Sequence, residues 1–438
     1  MKRKWKAVTG TLILSLVMIA PTAMRENRGT GTYIDRTMDR VVIKGERLAD
    51  LDGLPINKLR LVALKQGEAV PVPFQIDELD PLGYYVMDRP DGKHDRDADN
   101  GLLDKNDELV FMAMDACGRA PEGHFGEKRY QEIKLTDPVD GGSAYLYLVY
   151  YEDIPPPLSE KSYMRYEEGE EFDQVITPYY ILRFPKNDVF IRDFIMLPEA
   201  GGSGEDIMDR IKMRSGIDVL SALTITRTEE DFDTVILGCV VGPVRVIRQS
   251  GTRLSLLLSL KAPSVVVDGS FYPCSFEFPS MLSMPFRLDM IASDAYIRQG
   301  WDLNRTALGM KFFSNLEPGG VVLDGTMSEA EKKLAKNRNT LHWAIGTGGP
   351  GTFMFSGVWD ESAPFRAVLY YEDDLSRLEP PESEPGVMGF AYRLEDLIKM
   401  GGEEYGFNIV NYVVPDFDGD IERAIRVYDH PLEVTVNR

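Results

Sequence analysis

Cysteine and histidine are scarce in this chain, with three of the first and four of the second among 438 residues. Cys117, Cys239 and Cys274 allow one internal disulfide at most, which excludes a disulfide-stapled scaffold and leaves stability to core burial. Cys239 and Cys274 lie in strand-like segments of one region and are the pair to consider, with buried free thiols as the alternative. His94, His124, His342 and His430 are scattered without i,i+4 spacing or a neighbouring cysteine pair, so the chain carries no zinc signature. It also lacks the cysteine–cysteine–histidine spacing of covalent haem attachment. "GTGGPG" (346–351) is missing the lysine and hydroxyl of a phosphate-binding loop, and "GGSGE" is missing the second glycine of a nucleophile elbow around Ser203.

Positive charge is short as well. Forty-nine Lys and Arg against 70 Asp and Glu leave a formal net charge of −21. Such a surface repels polyanions, which argues against nucleic acid, anionic lipid and sulfated or uronate-rich glycans as partners and leaves neutral glycans and basic proteins open. Long apolar runs are missing beyond the first residues, so no membrane span is expected in the mature chain. The N-terminus differs: "MKRKWK" is a basic segment followed by an apolar run from Val8 to Ala20. This pattern predicts a secretory signal over 1–23, cleaved after Ala23 or kept as an N-terminal anchor, and a periplasmic or extracellular location.

Helical spacing of apolar residues is rare, while alternation and turn dipeptides recur, so the fold class is mainly β. "RYQEIKL" and "SAYLYLVYY" flank Asp140, Gly141 and Gly142 as a hairpin. "SVVVDGSFYPCSFEF" reads as a second hairpin, with Asp268 and Gly269 at its turn. Three short helices are expected: "SEAEKKLAKNR", with a capping box from Ser328 to Glu331, "YRLEDLIKMGG", ending at Gly401, and "DIERAIRVY", capped by Asp420. The Pro-rich and acidic stretch 153–172 reads as a linker. It divides a β-sandwich domain at 25–152 from a larger β-sandwich domain at 173–438, a reading that the related strand ends "VYYED" (149–153) and "LYYED" (369–373) accompany.

What the chain does have in excess is carboxylates in one place. "DRDADNGLLDKNDE" sets Asp95, Asp97, Asp99, Asp104, Asp107 and Glu108 within fourteen positions, directly before the apolar run "LVFMA". Alternating carboxylates on a turning backbone converge on a hard cation at ~2.4 Å, so these six residues are the candidate ligands of a structural Ca2+ ion. The stretch resembles an EF-hand-like calcium loop without its helices, although Asn100 and Asn106 stand where that loop has glycine and glutamate. A solvated acidic loop is the alternative. Tyr84, Tyr85, Tyr145 and Tyr147 are candidates for stacking on sugar rings or for strand packing.

"VPFQIDE" (72–78), "DELVFMA" (107–113) and "GPVRVI" (242–247) resemble pieces of uncharacterised secreted bacterial β-sandwich proteins, some with a galactose-mutarotase-like supersandwich domain. The resemblance implies an elongated all-β architecture and sugar-related work, with no catalytic histidine or glutamate matched. The functional expectation is therefore a calcium-stabilised extracytoplasmic protein that binds glycan or joins a surface assembly without catalysis. The alternatives are a polysaccharide-active enzyme, hydrolase or lyase, using groove carboxylates, and a periplasmic accessory subunit docking a basic partner.

Overall fold

A computed structural model describes residues 34–36, 38–88, 101–219, 223–257, 260–261, 265–283, 288–290, 292–401 and 403–437. The expected leader, 1–23, lies outside the described residues. The protein is mainly β, in sandwich-forming sheets, and every strand pairing among the described residues is antiparallel.

The N-terminal half builds two sheets over one core. A three-stranded sheet places Glu108–Met112 between Arg40–Lys44 and Phe74–Asp77. "ELVFM" is buried at all five positions, as a strand covered on both faces must be. Opposite it, a five-stranded sheet runs Glu433–Asn437, Tyr130–Thr136, Ser143–Tyr150, Leu59–Lys65, Glu68–Pro71. Ile43, Leu109, Phe111, Ile133, Leu146 and Leu148 fill the space between them and are fully buried.

Three sheets make up the rest. A four-stranded sheet contains Arg165–Glu168, Phe172–Ile176, Tyr180–Pro185 and Asp193–Met196. A five-stranded sheet is ordered Leu223–Thr228, Met208–Val219, Ala292–Leu303, Val387–Glu395, Arg366–Asp374. A ten-stranded sheet has Ser275–Ser283, Glu404–Val413 and Gly351–Trp359 near its middle. The last two share a core of aromatic rings: Trp301 stacks on Phe353 with centroids 5.0 Å apart, and Phe355 on Phe390 at 4.6 Å. Rings bury more apolar area per residue than aliphatic side chains, which suits the wide gap between two large sheets.

Several local readings hold. The first hairpin turns between Thr136 and Ser143, with Gly141 at φ 73°. The helix Glu329–Ala335 has both halves of its capping box, and Asp420 caps Ile421–Asp429 by accepting from Arg423 N. Others are corrected. Asp268 and Gly269 lie inside the strand Val265–Tyr272, and the turn falls at Pro273 and Cys274, because Tyr272 pairs with Ser275. Gly269 serves packing instead: a Cβ there would sit 3.1 Å from the Phe278 ring. "YRLEDLIK" is no helix; Val387–Glu395 is a strand bonded on both sides, followed by a single 3-10 turn at Leu397–Lys399. Two flanking ladders outweigh a weak helical stripe. The expected linker ends in strands, Arg165–Glu168 and Phe172–Ile176, and the C-terminal strand Glu433–Asn437 joins the N-terminal sheet. Cys117, Cys239 and Cys274 form no disulfide with one another.

Candidate functional site

The candidate site follows from strand alternation. Successive side chains of a strand point to opposite faces, so residues 211, 213 and 215 of one strand and 297, 299 and 301 of its neighbour face the ten-stranded sheet. From that sheet, Arg248, Ser250 and Thr252, then Phe276, Phe278 and Ser280, then Phe407, Ile409 and Asn411 face back. Between them lies a cavity of about 300 Å³. Its wall is largely aromatic, with Trp301, Phe271, Phe276, Phe355, Phe390 and Tyr392 among its residues, and Met281 is 51% exposed beside it. None of the described lining residues is Asp, Glu, His or Cys.

Arg248 is the one charge in the described lining, and three of its five N–H groups are engaged. Its guanidinium donates to Asp173 at 3.2 Å, to the Asp188 carbonyl at 2.6 Å and to the Tyr166 hydroxyl at 3.4 Å, and it lies 4.6 Å from the Phe184 ring centre. Asn411 differs. It is 3% exposed and its Oδ1 has no hydrogen-bond partner, a state shared by the Thr252 hydroxyl.

The opposite face of the same five-stranded sheet is charged. Arg210, Lys212 and Arg214 alternate with the cavity residues, and Glu379 and Glu382 reach them from the segment 375–386. Lys212 Nζ sits 2.6 Å from Asp302 and 2.9 Å from Glu382. Among the described residues, carboxylate oxygens of Asp209, Asp302 and Glu382 lie within 4.8 Å of one another, with the Lys212 ammonium beside two of them. The cation that neutralises this group is therefore the protein's own lysine. Burial raises the Asp302 carboxyl to about 6 despite Lys212. Asp302 and Lys212 are at most 5% exposed, whereas the Asp209 side chain is 42% exposed and pairs with Arg210 at 3.2 Å.

The residues read as calcium ligands divide. Asp95, Asp97 and Asp99 lie outside the described residues. Asp104 Oδ1 accepts from the backbone of Asn106 at 3.1 Å, and Asp107 accepts from Leu79 N at 3.1 Å and Asp104 N at 2.9 Å. Glu108 takes Lys44 at 2.6 Å, Arg245 at 2.7 Å and the Tyr85 hydroxyl at 2.9 Å. Asp107 and Glu108 thus hold protein donors. Of the four tyrosines, Tyr84 is exposed, Tyr147 is buried, and Tyr85 belongs to the Glu108 group.

The three stretches that carried the resemblance meet in space. Phe74–Asp77 pairs with Glu108–Met112, and Arg245 reaches both: its Nε donates to Asp77 at 2.8 Å and its Nη2 to Glu108. Gln75 Oε1 accepts from the backbone of Val244 and Arg245 at 3.1 and 2.8 Å. Burial favours the neutral acid at Glu108, but Arg245 and Lys44 outweigh it and hold the carboxyl below its ordinary range. This constellation ties the two halves together.

No protein-family model matches the sequence, and no curated protein matches it. Among solved structures, an alpha-mannosidase from Enterococcus faecalis V583 superposes on 94% of this chain at 8% identity and a TM-score of 0.47. This chain spans 45% of that protein's length. HI1317 superposes on 57% of the chain, and over 99% of its own length, at 10% identity and a TM-score of 0.26. At these scores neither likeness bears on activity. The cavity was missed in the sequence because its wall is gathered from strands spread between Phe184 and Asn411. The one local trace was aromatic alternation, as at Phe276 and Phe278, which ordinary strands share.

Proposed function

We propose that the protein binds a predominantly hydrophobic small molecule between its two large sheets and carries out no chemistry on it. The observation that supports this reading is the aromatic-walled cavity of about 300 Å³ whose described lining has no acid, histidine or thiol. Binding pockets start at about this volume, and apolar cavities of roughly half the size hold benzene-sized guests. Glycoside hydrolysis needs two carboxylates flanking a bond, and among the described residues the Asp209, Asp302 and Glu382 group lies on the other face of the sheet, with Asp302 and Glu382 paired to Lys212. A neutral glycan is the competing ligand. Most of its hydroxyls would face rings here and lose their hydrogen bonds to water.

The test is fluorescence titration with N-phenyl-1-naphthylamine, a neutral probe that brightens in apolar surroundings. Micromolar binding is expected, reduced more than tenfold in Ser215→Phe, which fills the cavity. A probe that does not bind, or that binds the filled variant equally well, overturns the reading. Saturable binding of neutral oligosaccharides in its place establishes the glycan alternative.

For location and cation we propose export, on the basic-then-apolar pattern of 1–23, and a weak calcium site at Asp95, Asp97, Asp99 and Asp104. The crowding of aspartates supports the second, because like charges repel unless a cation neutralises them. Millimolar calcium is expected to raise the melting temperature by mass action, and the gain to vanish in Asp97→Ala/Asp99→Ala. An unchanged melt removes the site.

A further inference from the structure

We infer that the ligand of the cavity carries a carboxamide, or an equivalent neutral group with a donor and an acceptor side by side, and that the Gln299 amide pairs with it. The inference rests on the cavity reading above and deepens it. Gln299 lies on Ala292–Leu303, the middle strand of the five-stranded sheet, directly between Met213 on one neighbouring strand and Tyr392 on the other. Ile297 and Trp301 flank it two residues away along its own strand, on the same face. A single glutamine thus stands at the centre of an apolar patch. Its side chain faces the ten-stranded sheet, so the space from which it can be reached is the cavity.

The Gln299 amide is open, in contrast to Asn411 Oδ1, which is sealed from any guest. Gln299 is half-buried, and among the described residues its side chain makes no hydrogen bond. A guest that fills the cavity takes this amide out of contact with water and must return the hydrogen bonds it displaces. A guest without polar groups leaves both a donor and an acceptor unpaired. The shape of the amide selects the complement: it offers an N–H and a carbonyl oxygen on one planar edge, and the group that answers both at once is another amide. A carboxylate brings two acceptors, one of which meets the Gln299 carbonyl. It would also lose its water without a free counter-charge, because Arg248 is paired with Asp173 at 3.2 Å. The Ser215 hydroxyl, half-buried and diagonal to Gln299 on the neighbouring strand, adds a second polar group for a neutral head.

Displacement of bound N-phenyl-1-naphthylamine by 2-naphthamide, naphthalene and 2-naphthoate tests the inference, in the unmodified protein and in Gln299→Leu. The three compounds share one ring system and differ in the head group. The substitution is expected to weaken 2-naphthamide about tenfold, because its head loses a partner, and to leave naphthalene unchanged or tighter, because no amide is left unpaired beside it. Gln299→Met, which keeps the length of the side chain, is expected to give the same split and separates loss of the amide from a change in cavity shape. Both variants are expected to bind the probe, which reports that they fold. In the unmodified protein 2-naphthoate is expected to bind more weakly than 2-naphthamide. An amide-to-naphthalene affinity ratio that changes by less than about threefold in both variants overturns the inference while leaving the cavity reading intact, and so does tighter binding of 2-naphthoate than of 2-naphthamide. Failure of the probe to bind the unmodified protein overturns both.

Discussion

Arg245→Met is expected to destabilise the protein by about 3–5 kcal/mol in urea denaturation, the largest single-residue effect outside the aromatic core. Arg245 is 2% exposed and serves Asp77 and Glu108, which are 4% and 6% exposed. Its removal leaves Asp77 with only the Gln75 amide and Glu108 with Lys44 and Tyr85, in a site where burial already raises the Asp77 carboxyl and Arg245 is the main opposing influence. The loss comes from the charges left behind, so it should be reversible by removing them too. Arg245→Met/Asp77→Leu/Glu108→Leu is expected to recover most of the stability, since a packed apolar trio costs no desolvation of ions. A loss below about 1 kcal/mol in the single variant, or a triple variant no better than the single, rejects this account.

That constellation also shows what the sequence made legible and where it stopped. The stretches around Asp77, Glu108 and Arg245 were singled out separately, yet nothing local says that positions 168 residues apart share an ion pair. Local physics was readable where it is self-contained: Ser328 and Glu331 close a capping box within one turn, and Gly141 reverses a hairpin by its positive φ. It failed where a distant partner decides. Asp268 and Gly269 form a good turn dipeptide, but the strand Val246–Leu257 binds that segment as a straight strand and moves the turn to Pro273 and Cys274. The strand Glu433–Asn437 joins a sheet whose other strands end at Tyr150. The cavity belongs to the same class. Alternation shows which residues share a face, and only the topology shows that two such faces stand apart.

Raising the pH from 5 to 8 is expected to lower the unfolding free energy by about 2–4 kcal/mol. Asp107 and Asp373 carry the argument, and Asp302, raised to about 6, acts in the same direction. Neither of the first two has measurable exposure, and each accepts backbone N–H groups, Asp373 from Asp324 at 2.8 Å and Gly325 at 2.9 Å. Burial pushes Asp107 up to about 7 and Asp373 to about 6, with the backbone donors only partly opposing it. A carboxyl whose value is raised in the folded chain binds its proton more tightly folded than unfolded. Between about pH 4 and pH 7 the folded protein therefore holds extra protons, stability falls as pH rises through that window, and it levels off above about pH 8. Each group is assigned about 1–2 kcal/mol, less than the full shift, because the part of each shift that lies below pH 5 falls outside this range. Glu108 and Glu379 are shifted the other way, but their effect falls below about pH 4.5, outside the window. Self-repulsion of a chain with net charge −21 acts in the same direction and is separable by salt. Half-molar NaCl screens exposed charges and leaves buried carboxyls nearly unaffected. The fall should persist in that salt and shrink in Asp107→Asn/Asp373→Asn; stability that stays level or rises from pH 5 to 8 in high salt contradicts it.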